Sequence, residues 1–211
     1  PMKKIVDPQR IEDKSFKIIE GLLADLNLPK EQKEVVKRVI HATVDLDYAR
    51  GLIFHPCAIE AGLAALRTGK NIVTDVNMVK VGIRREILSG FGGAVACLIN
   101  DQEVVQSSSQ SGYTRAAISM RKAHQLMDGG IVAIGNAPTA LFEVCDLVRK
   151  GKARPALIIG VPVGFVGAAE SKKELITLPV PFITNQGGKG GSSVAVAIVN
   201  ALLKMTEVKG E

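Results

Sequence analysis

Three histidines are the side chains of this chain best suited to exchange a proton near neutral pH. His41 closes an amphipathic helical pattern and opens the segment His-Ala-Thr-Val-Asp, whose small and polar residues are not typical of a core. His55 stands before a proline at a helix start and is interpreted as structural, and His124 as a surface residue near a helix end. His41 is the candidate general acid or base, although spacing alone does not decide between a catalytic and a structural role.

Polar, glycine-containing segments follow several apolar runs and offer a place for a charged ligand. Glycines let backbone N–H groups approach a ligand, and helix amino termini attract carboxylate or phosphate. These segments together could bind an acid with several negative charges. Thr74, Asn136 and Lys189 lie in them and are candidate contacts. The segments are TD at 74–75, GNAPT at 135–139, GVPVG at 160–164 and TNQGGKGGS at 184–192.

Several common sites are excluded by spacing. The GGKGGS segment is not a Walker phosphate loop, because Ile183 occupies its first glycine position and two glycines separate Lys189 from Ser192. No G-x-G-x-x-G follows the first strand, so a dinucleotide cofactor is unsupported. The histidines show no zinc-binding spacing, and Cys57 in its apolar context is interpreted as a packed thiol.

The elements that must position these residues alternate between strand and helix. Six continuously apolar runs predict strands buried on both faces, which is typical of parallel sheets, and right-handed βαβ units should join them. Predicted strands cover 52–54, 72–74, 94–99, 131–134, 156–160 and 182–184, and predicted helices cover 8–26, 30–40, 56–66, 112–127, 138–150, 170–178 and 192–204.

This pattern predicts a three-layer α/β fold, with a largely parallel central sheet and helices on both faces. At 211 residues the chain is long enough for one substantial core. We expect a single domain over 1–211, with N-terminal helices at about 8–43 packed on it.

In the first helix Ser15 is the one polar member of the apolar stripe, and spacing favours a small spacer. The Ser-rich segment 106–112 is predicted to be a mobile loop or ligand cover.

The composition of the chain indicates which kinds of ligand and which compartment to expect. Lys and Arg exceed Asp and Glu by 27 − 21 = 6, which favours an anionic partner. The basic residues are dispersed, so a small polyanion is favoured over nucleic acid. No apolar window is long enough to cross a bilayer and the first residues lack a signal-like run, so we expect a cytoplasmic protein without a membrane partner. Three separated cysteines predict buried thiols in a reducing compartment.

Six segments in order along nearly the whole chain resemble the precorrin-8X methylmutase family of corrin biosynthesis, including its cobalt-precorrin-8 members. The segments are HATVD at 41–45, HPCAIEAG at 55–62, IVTDVNM at 72–78, IGNAPTAL at 134–141, PVGFVGAAESK at 162–172 and GGKGGS at 187–192.

The resemblance implies an isomerase that moves a methyl group from ring carbon 11 to ring carbon 12 of the tetrapyrrole, giving hydrogenobyrinate or cobyrinate. It implies no external cofactor and no protein-bound metal, and a homodimer with substrate near the subunit interface. His41 falls on the family's proton donor and acceptor, and Ser15 on a substrate-contacting serine, which replaces the spacer interpretation. Arg84, Arg115 and Lys189 are our candidates for the substrate's carboxylates.

Two positions depart from the family pattern. The family commonly has Gly where this chain has Val44, and Arg where it has Gly188, which removes one carboxylate clamp. Two alternatives stay open: a transferase or isomerase acting on a phosphorylated metabolite, and a carrier that binds a tetrapyrrole without turnover. The sequence does not distinguish a metal-free from a cobalt-containing substrate.

Overall fold

The computed structural model describes residues 7–207, and its centre is a six-stranded sheet of order β1-β6-β5-β4-β2-β3. All neighbouring strands are parallel except β1, which pairs antiparallel with β6. The strands are β1 Leu52–Phe54, β2 Ile72–Thr74, β3 Val95–Ala96, β4 Ile131–Ile134, β5 Leu157–Gly160 and β6 Phe182–Asn185. The predicted largely parallel α/β fold is confirmed.

Eleven α-helices are described within residues 7–207, together with a 3-10 turn at His124–Met127. They are α1 Pro8–Leu22, α2 Lys30–Thr43, α3 Tyr48–Gly51, α4 Ala58–Arg67, α5 Asn77–Gly82, α6 Arg85–Gly90, α7 Gln102–Ser111, α8 Arg115–Ala123, α9 Pro138–Arg149, α10 Ala168–Ile176 and α11 Ser192–Glu207.

Successive strand residues bury opposite faces of the sheet, and this alternation creates three layers. Ile72, Ile131 and Leu157 pack with side chains of α1, α2, α4, α5, α6 and α11. Val73 and Val132, one position along, pack with side chains of α8, α9 and α10. The amino-terminal helices α1 and α2 therefore contribute to the same core as the first face of the sheet, through residues such as Ile19, Val35 and Val39.

Some sequence predictions are wrong in detail. The first strand is an antiparallel edge strand and only partly buried. The segment 106–112 is not a loop: α7 covers its Ser-rich part and Gly112 ends the helix in the left-handed conformation. Ser109 Oγ and Ser111 Oγ donate to carbonyls three and four residues back, so the hydroxyls are satisfied inside the helix. Helix α1 ends earlier than predicted, at Leu22.

The prediction of buried thiols is right for Cys145 and wrong for Cys57. Cys145 is buried, and burial raises the pKa of its thiol to about 12. Cys97 is partly buried, whereas Cys57 is exposed. Cys57 is the N-cap of helix α4, and its backbone N–H donates to His55 Nδ1 at 3.2 Å. The apolar residues around Cys57 therefore bury their own side chains while the thiol faces outward.

Helix α2 ends in an unusual way, three residues after His41. Val44 is the C-cap, with φ 55° and ψ 25°, and it is the non-glycine residue with positive φ within residues 7–207. Its N–H donates to the Ile40 carbonyl at 2.7 Å. A β-branched side chain rarely adopts this conformation, because its Cβ crowds the backbone. Val44 is thus a strained position beside the candidate histidine.

Candidate functional site

His41 and Ser15 meet at the surface where α1 crosses the last turn of α2. Ser15 Oγ and His41 Nδ1 lie 2.9 Å apart and share a hydrogen bond. The Phe16 ring stacks on the imidazole with centroids 4.9 Å apart and an interplanar angle of 19°. The imidazole is thus held by a hydrogen bond at one nitrogen and by an aromatic face, while no residue within 7–207 hydrogen-bonds to Nε2. This arrangement leaves Nε2 able to exchange a proton with a ligand.

The packing of α1 on α2 sets this geometry. Ile19, one turn beyond Ser15, is buried in the core shared with α2. Arg38 of α2 reaches back to α1, with its Nη2 atom 3.3 Å from Glu12 Oε1. The Arg38 guanidinium also lies over the Phe16 ring, 5.2 Å from its centroid. The two helices are therefore joined by apolar burial, an ion pair and a cation–π contact on the same side as His41.

Lys189 joins the end of α2 to the glycine-rich loop after β6. Its Nζ donates to Asp45 Oδ2 at 2.7 Å and to Asp47 Oδ2 at 2.6 Å. These contacts raise the pKa of Lys189 and lower the pKa of Asp45, because each charge favours the other. The His41 end of α2 consequently lies at the carboxyl edge of the sheet. The Lys189 charge is already paired with two carboxylates.

Three loops after parallel strands meet at this edge. The Gly164 N–H donates to the Gly188 carbonyl at 3.0 Å, and the Gly191 N–H donates to the Val161 carbonyl at 2.9 Å. Gly135, after β4, packs against the start of α11 so closely that a Cβ there would lie 2.8 Å from Ser192 Cα. The loops after β4, β5 and β6 therefore form one continuous surface.

Asp75 closes the crevice between β2 and β4, which is the point where the strand order reverses. Its carboxylate accepts from the N–H groups of Gly135 at 3.1 Å, Asn136 at 2.8 Å and Ala137 at 2.8 Å. Burial raises the pKa of Asp75, while these three donors oppose the rise. Ligands of such folds usually bind at this reversal. Here the protein's own carboxylate uses the amide groups that would otherwise receive an anion.

Thr74 and Asn136, two other predicted substrate contacts, differ in how far a ligand can reach them. Thr74 is fully buried, and its hydroxyl lies 3.4 Å from the carbonyl oxygens of Val76 and Ala96. It therefore braces the end of β2 and presents no surface to a ligand. Asn136 is exposed beside Asp75, to which its backbone is bound, and its side chain faces outward at the carboxyl edge.

The two predicted arginines lie apart from His41. Arg84 is exposed, and its N–H donates to Asn200 Oδ1 at 2.9 Å. Asn200 is eight residues into α11, about 12 Å along that helix from its start at the carboxyl edge. Arg115 is exposed at the first turn of α8, in the opposite helix layer. The preceding Thr114 Oγ1 lies 2.7 Å from Thr139 Oγ1, so Arg115 is at the carboxyl edge while Arg84 is not.

Lys172 is a buried residue of this region that the sequence analysis did not select. It is 1% exposed, and its Nζ donates to Asn185 Oδ1 at 3.1 Å, to the Gly187 carbonyl at 2.9 Å and to the Lys189 carbonyl. Burial lowers the pKa of Lys172 to about 8. A lysine within a helix is ordinarily a surface residue, so the sequence offered no signal beyond its place in the PVGFVGAAESK segment.

Residues 7–207 offer neither a metal site nor a membrane span. No cluster of three or more His, Cys, Asp or Glu side chains is arranged to hold a metal ion there. Within the same range, no helix has the length and apolar character needed to span a membrane.

Comparison with known proteins identifies the family. A family model described as precorrin-8X methylmutase matches residues 10–205. A cobalt-precorrin-8 methylmutase of Priestia megaterium is 51% identical, covering 93% of this chain and 88% of the relative, and one of Leptospira interrogans is 43% identical over the full length of both. A solved structure of precorrin-8X methyl mutase from Thermus thermophilus is 40% identical, with a TM-score of 0.87 covering 94% of this chain and 96% of that one. The chain belongs to the precorrin-8X methylmutase family.

Proposed function

We propose that this chain moves a methyl group from ring carbon 11 to ring carbon 12 of precorrin-8X or cobalt-precorrin-8, giving hydrogenobyrinate or cobyrinate in cobalamin biosynthesis. Family membership makes the chain an isomerase acting by intramolecular methyl transfer. His41 is the general acid of this reaction. The observation that carries the assignment is the hydrogen bond between Ser15 Oγ and His41 Nδ1, which orients Nε2 for proton transfer.

Ser15 suits this task because its hydroxyl oxygen accepts a hydrogen bond without carrying a charge. When His41 is an imidazolium, Nδ1–H donates to the Ser15 hydroxyl oxygen. After Nε2 has given its proton to the substrate, the neutral ring keeps the proton on Nδ1 and the same hydrogen bond persists. The same contact therefore holds the ring before and after proton transfer. A carboxylate at this place would favour the charged form, whereas a hydroxyl allows the proton to leave and return.

Protonation aids methyl migration for an electronic reason. Positive charge on the conjugated macrocycle weakens the bond to the departing methyl group. The product is an isomer of the substrate, so the ring can return the proton to His41 Nε2 and no acid is consumed. Because the proton contact matters mostly in the transition state, His41 contributes to turnover more than to binding.

The surroundings of His41 fit a broad macrocycle with carboxylates on its rim. Lys189, Arg115 and Asn136 lie along the carboxyl edge and are proposed contacts for these groups, together with Ser15 for the ring. Thr74 is not proposed as a contact because it is fully buried. Arg84 is not proposed either, because it lies beside Asn200 of α11, away from the carboxyl edge. The formal charge of +6 favours the approach of such a polyanion.

The proposal is tested by incubating the protein with precorrin-8X and with its cobalt form, and following the visible spectrum for the changed conjugation of the product. His41→Ala should reduce kcat at least ~100-fold, the usual scale for losing a general acid, while still binding the product. His124→Ala is the matched control, because His124 instead hydrogen-bonds the Arg121 carbonyl on α8. Near wild-type turnover by His41→Ala would reject the assignment, and tight binding without turnover by the wild type would favour a carrier.

We further propose a homodimer with substrate bound near the subunit interface. Phe165 and Val166 are almost wholly exposed on the loop after β5, beside Gly164, whose N–H is bonded to the glycine-rich loop. Exposed apolar groups of this size commonly mark an interface, and a second copy would cover them. Sedimentation at micromolar concentration should give a dimer mass for the wild type and a lower mass for Phe165→Asp. A monomeric wild type with full activity would contradict the proposal.

A further inference from the structure

Lys172 is a buried cation whose hydrogen-bond partners, among the residues that the structure describes, are all uncharged oxygens. Its side chain is 1% exposed, and within residues 7–207 no carboxylate lies within ion-pair distance of its Nζ. Placing a charge in such a site is costly, and an apolar side chain of similar volume would often be tolerated better. What compensates the charge is a set of three oxygen acceptors, from Asn185, Gly187 and Lys189.

These three contacts use all three protons of the ammonium group and fix the direction of two peptide units. In a trans peptide the C=O and the following N–H point in opposite directions. Because the Gly187 and Lys189 carbonyls face Lys172, the N–H groups of Gly188 and Gly190 face away from it. Neither N–H meets an acceptor within residues 7–207.

The remaining contacts of the loop support this orientation. Asn185 Nδ2 donates to the Lys189 carbonyl at 2.8 Å, so that oxygen accepts from both Asn185 and Lys172. Gly187 has φ 71° and Gly190 has φ 153°, values that side-chain-bearing residues rarely adopt and that allow the peptide direction to reverse. Amides that point to the same side of a turn form a concave surface that binds anions.

We propose that Lys172 is a positioning residue for the methyl-transfer reaction: it holds the loop at 187–190 so that the outward Gly188 and Gly190 N–H groups receive one rim carboxylate of the tetrapyrrole. The inference rests on the proposed function, since the carboxylate belongs to that substrate. It differs from the Asp75 arrangement, in which the protein supplies the carboxylate itself. It also gives the loop an anion contact that does not require Lys189 to leave Asp45 and Asp47.

The test uses Lys172→Met, which keeps the length of the side chain and removes its charge and its donors. We expect KM for precorrin-8X to rise about tenfold or more, the effect of losing one charge-assisted contact, while kcat stays within about threefold. Lys122→Met is the control, because it removes the same formal charge from an ion pair on α8. An unchanged KM in Lys172→Met would overturn the inference.

A second measurement does not depend on the variant folding. Amide NMR of the wild-type protein should show the Gly188 and Gly190 resonances shifting when hydrogenobyrinate binds, and not when its fully esterified form is added. Unmoved resonances at saturating product would overturn the inference as well. If the wild type neither binds nor converts the tetrapyrroles, the proposed function fails, whereas turnover with unmoved amides leaves that function standing and removes Lys172 from it.

Discussion

Ser15 Oγ lies 2.9 Å from His41 Nδ1, although 26 positions separate the two residues in sequence. The contact depends on the packing of α1 against α2 and is reinforced by the stacking of Phe16 on the same imidazole. Ser15 is only partly buried, so its hydroxyl remains within reach of a ligand that approaches His41. One serine can therefore both orient the general acid and contact the substrate.

The hydrogen bond between Ser15 and His41 should contribute to turnover. Ser15→Ala should lower kcat about tenfold, since the loss of one orienting hydrogen bond costs roughly 1.4 kcal/mol in the transition state. Single-turnover rates of Ser15→Ala, His41→Ala and the double variant measure the coupling between the residues. In the His41→Ala background, Ser15→Ala should have little further effect. Additive losses would show that Ser15 acts independently of His41.

The sequence predicted the central strands well because they are continuous apolar runs, which favour burial on both faces of a sheet. The runs at 72–74 and 131–134 become β2 and β4 with the same bounds. The antiparallel direction of β1 was missed, because a three-residue strand carries no signal of its pairing partner. The Ser-rich α7 was missed because its composition is typical of a loop, while its hydroxyls are satisfied by local carbonyls.

The site was predicted less completely, and the reason is tertiary. Residue type and the family resemblance led to His41, Ser15 and Lys189, whose substrate roles remain predictions. The roles of Lys172 and Asp75 depend on carbonyl and amide groups from distant segments, which no local pattern reveals. The pairing of Lys189 with Asp45 could not be foreseen either, since 144 positions separate them.

Lys189 and Arg115 should contribute differently to anion binding. Removing Lys189 also leaves Asp45 and Asp47 without their cation, so the site would then repel a polyanion. Lys189→Ala should weaken product binding about tenfold or more, and Arg115→Ala by less, because Arg115 neutralises no protein carboxylate among the described residues.

Titration with hydrogenobyrinate at low and high salt measures both effects, since screening should reduce the difference between the variants. Adding Asp45→Asn and Asp47→Asn to Lys189→Ala should recover part of the affinity, because it removes the exposed negative charge. Unchanged affinity in both single variants at low salt would exclude Lys189 and Arg115 from the binding site.

Val44 should be replaceable by glycine with a gain in stability. A left-handed conformation costs an L-residue roughly 1–2 kcal/mol, and glycine avoids this cost while losing somewhat more chain entropy on folding. Val44→Gly should therefore raise the free energy of unfolding by about 0.5–1 kcal/mol, measured by urea denaturation. Val105→Gly is an informative contrast, because Val105 is an exposed valine inside α7 and glycine there should destabilise. A loss of stability in Val44→Gly would mean that its side chain makes contacts that outweigh the strain.

The burial of Lys172 predicts opposite pH effects on stability and on substrate binding. Its folded-state pKa is lowered to about 8 from an ordinary value of 10.5, so between these values the unfolded chain binds more protons than the folded one. Stability should therefore rise with pH across this window, by up to about 3 kcal/mol relative to Lys172→Met, in which this group is absent. Urea denaturation of both proteins at pH 7.5 and 10.5 measures the difference, and other titrating groups cancel in it.

Substrate binding should weaken with rising pH between about 8 and 10.5, whereas stability rises. A neutral amine has two protons rather than three, so one of the Asn185, Gly187 and Lys189 acceptors loses its donor and the loop loosens. Among the residues that the structure describes, the ion pairs of this loop are those of Lys189 with Asp45 and Asp47. Burial lowers the pKa of Lys172, whereas the pKa of Lys189 is raised and that of Asp45 lowered, so Lys189 and Asp45 keep their charges near pH 8. KM of the wild type should therefore increase as pH passes 8, while KM of Lys172→Met, already high, should stay flat. Parallel pH profiles for the two proteins would show that the charge of Lys172 does not control the loop.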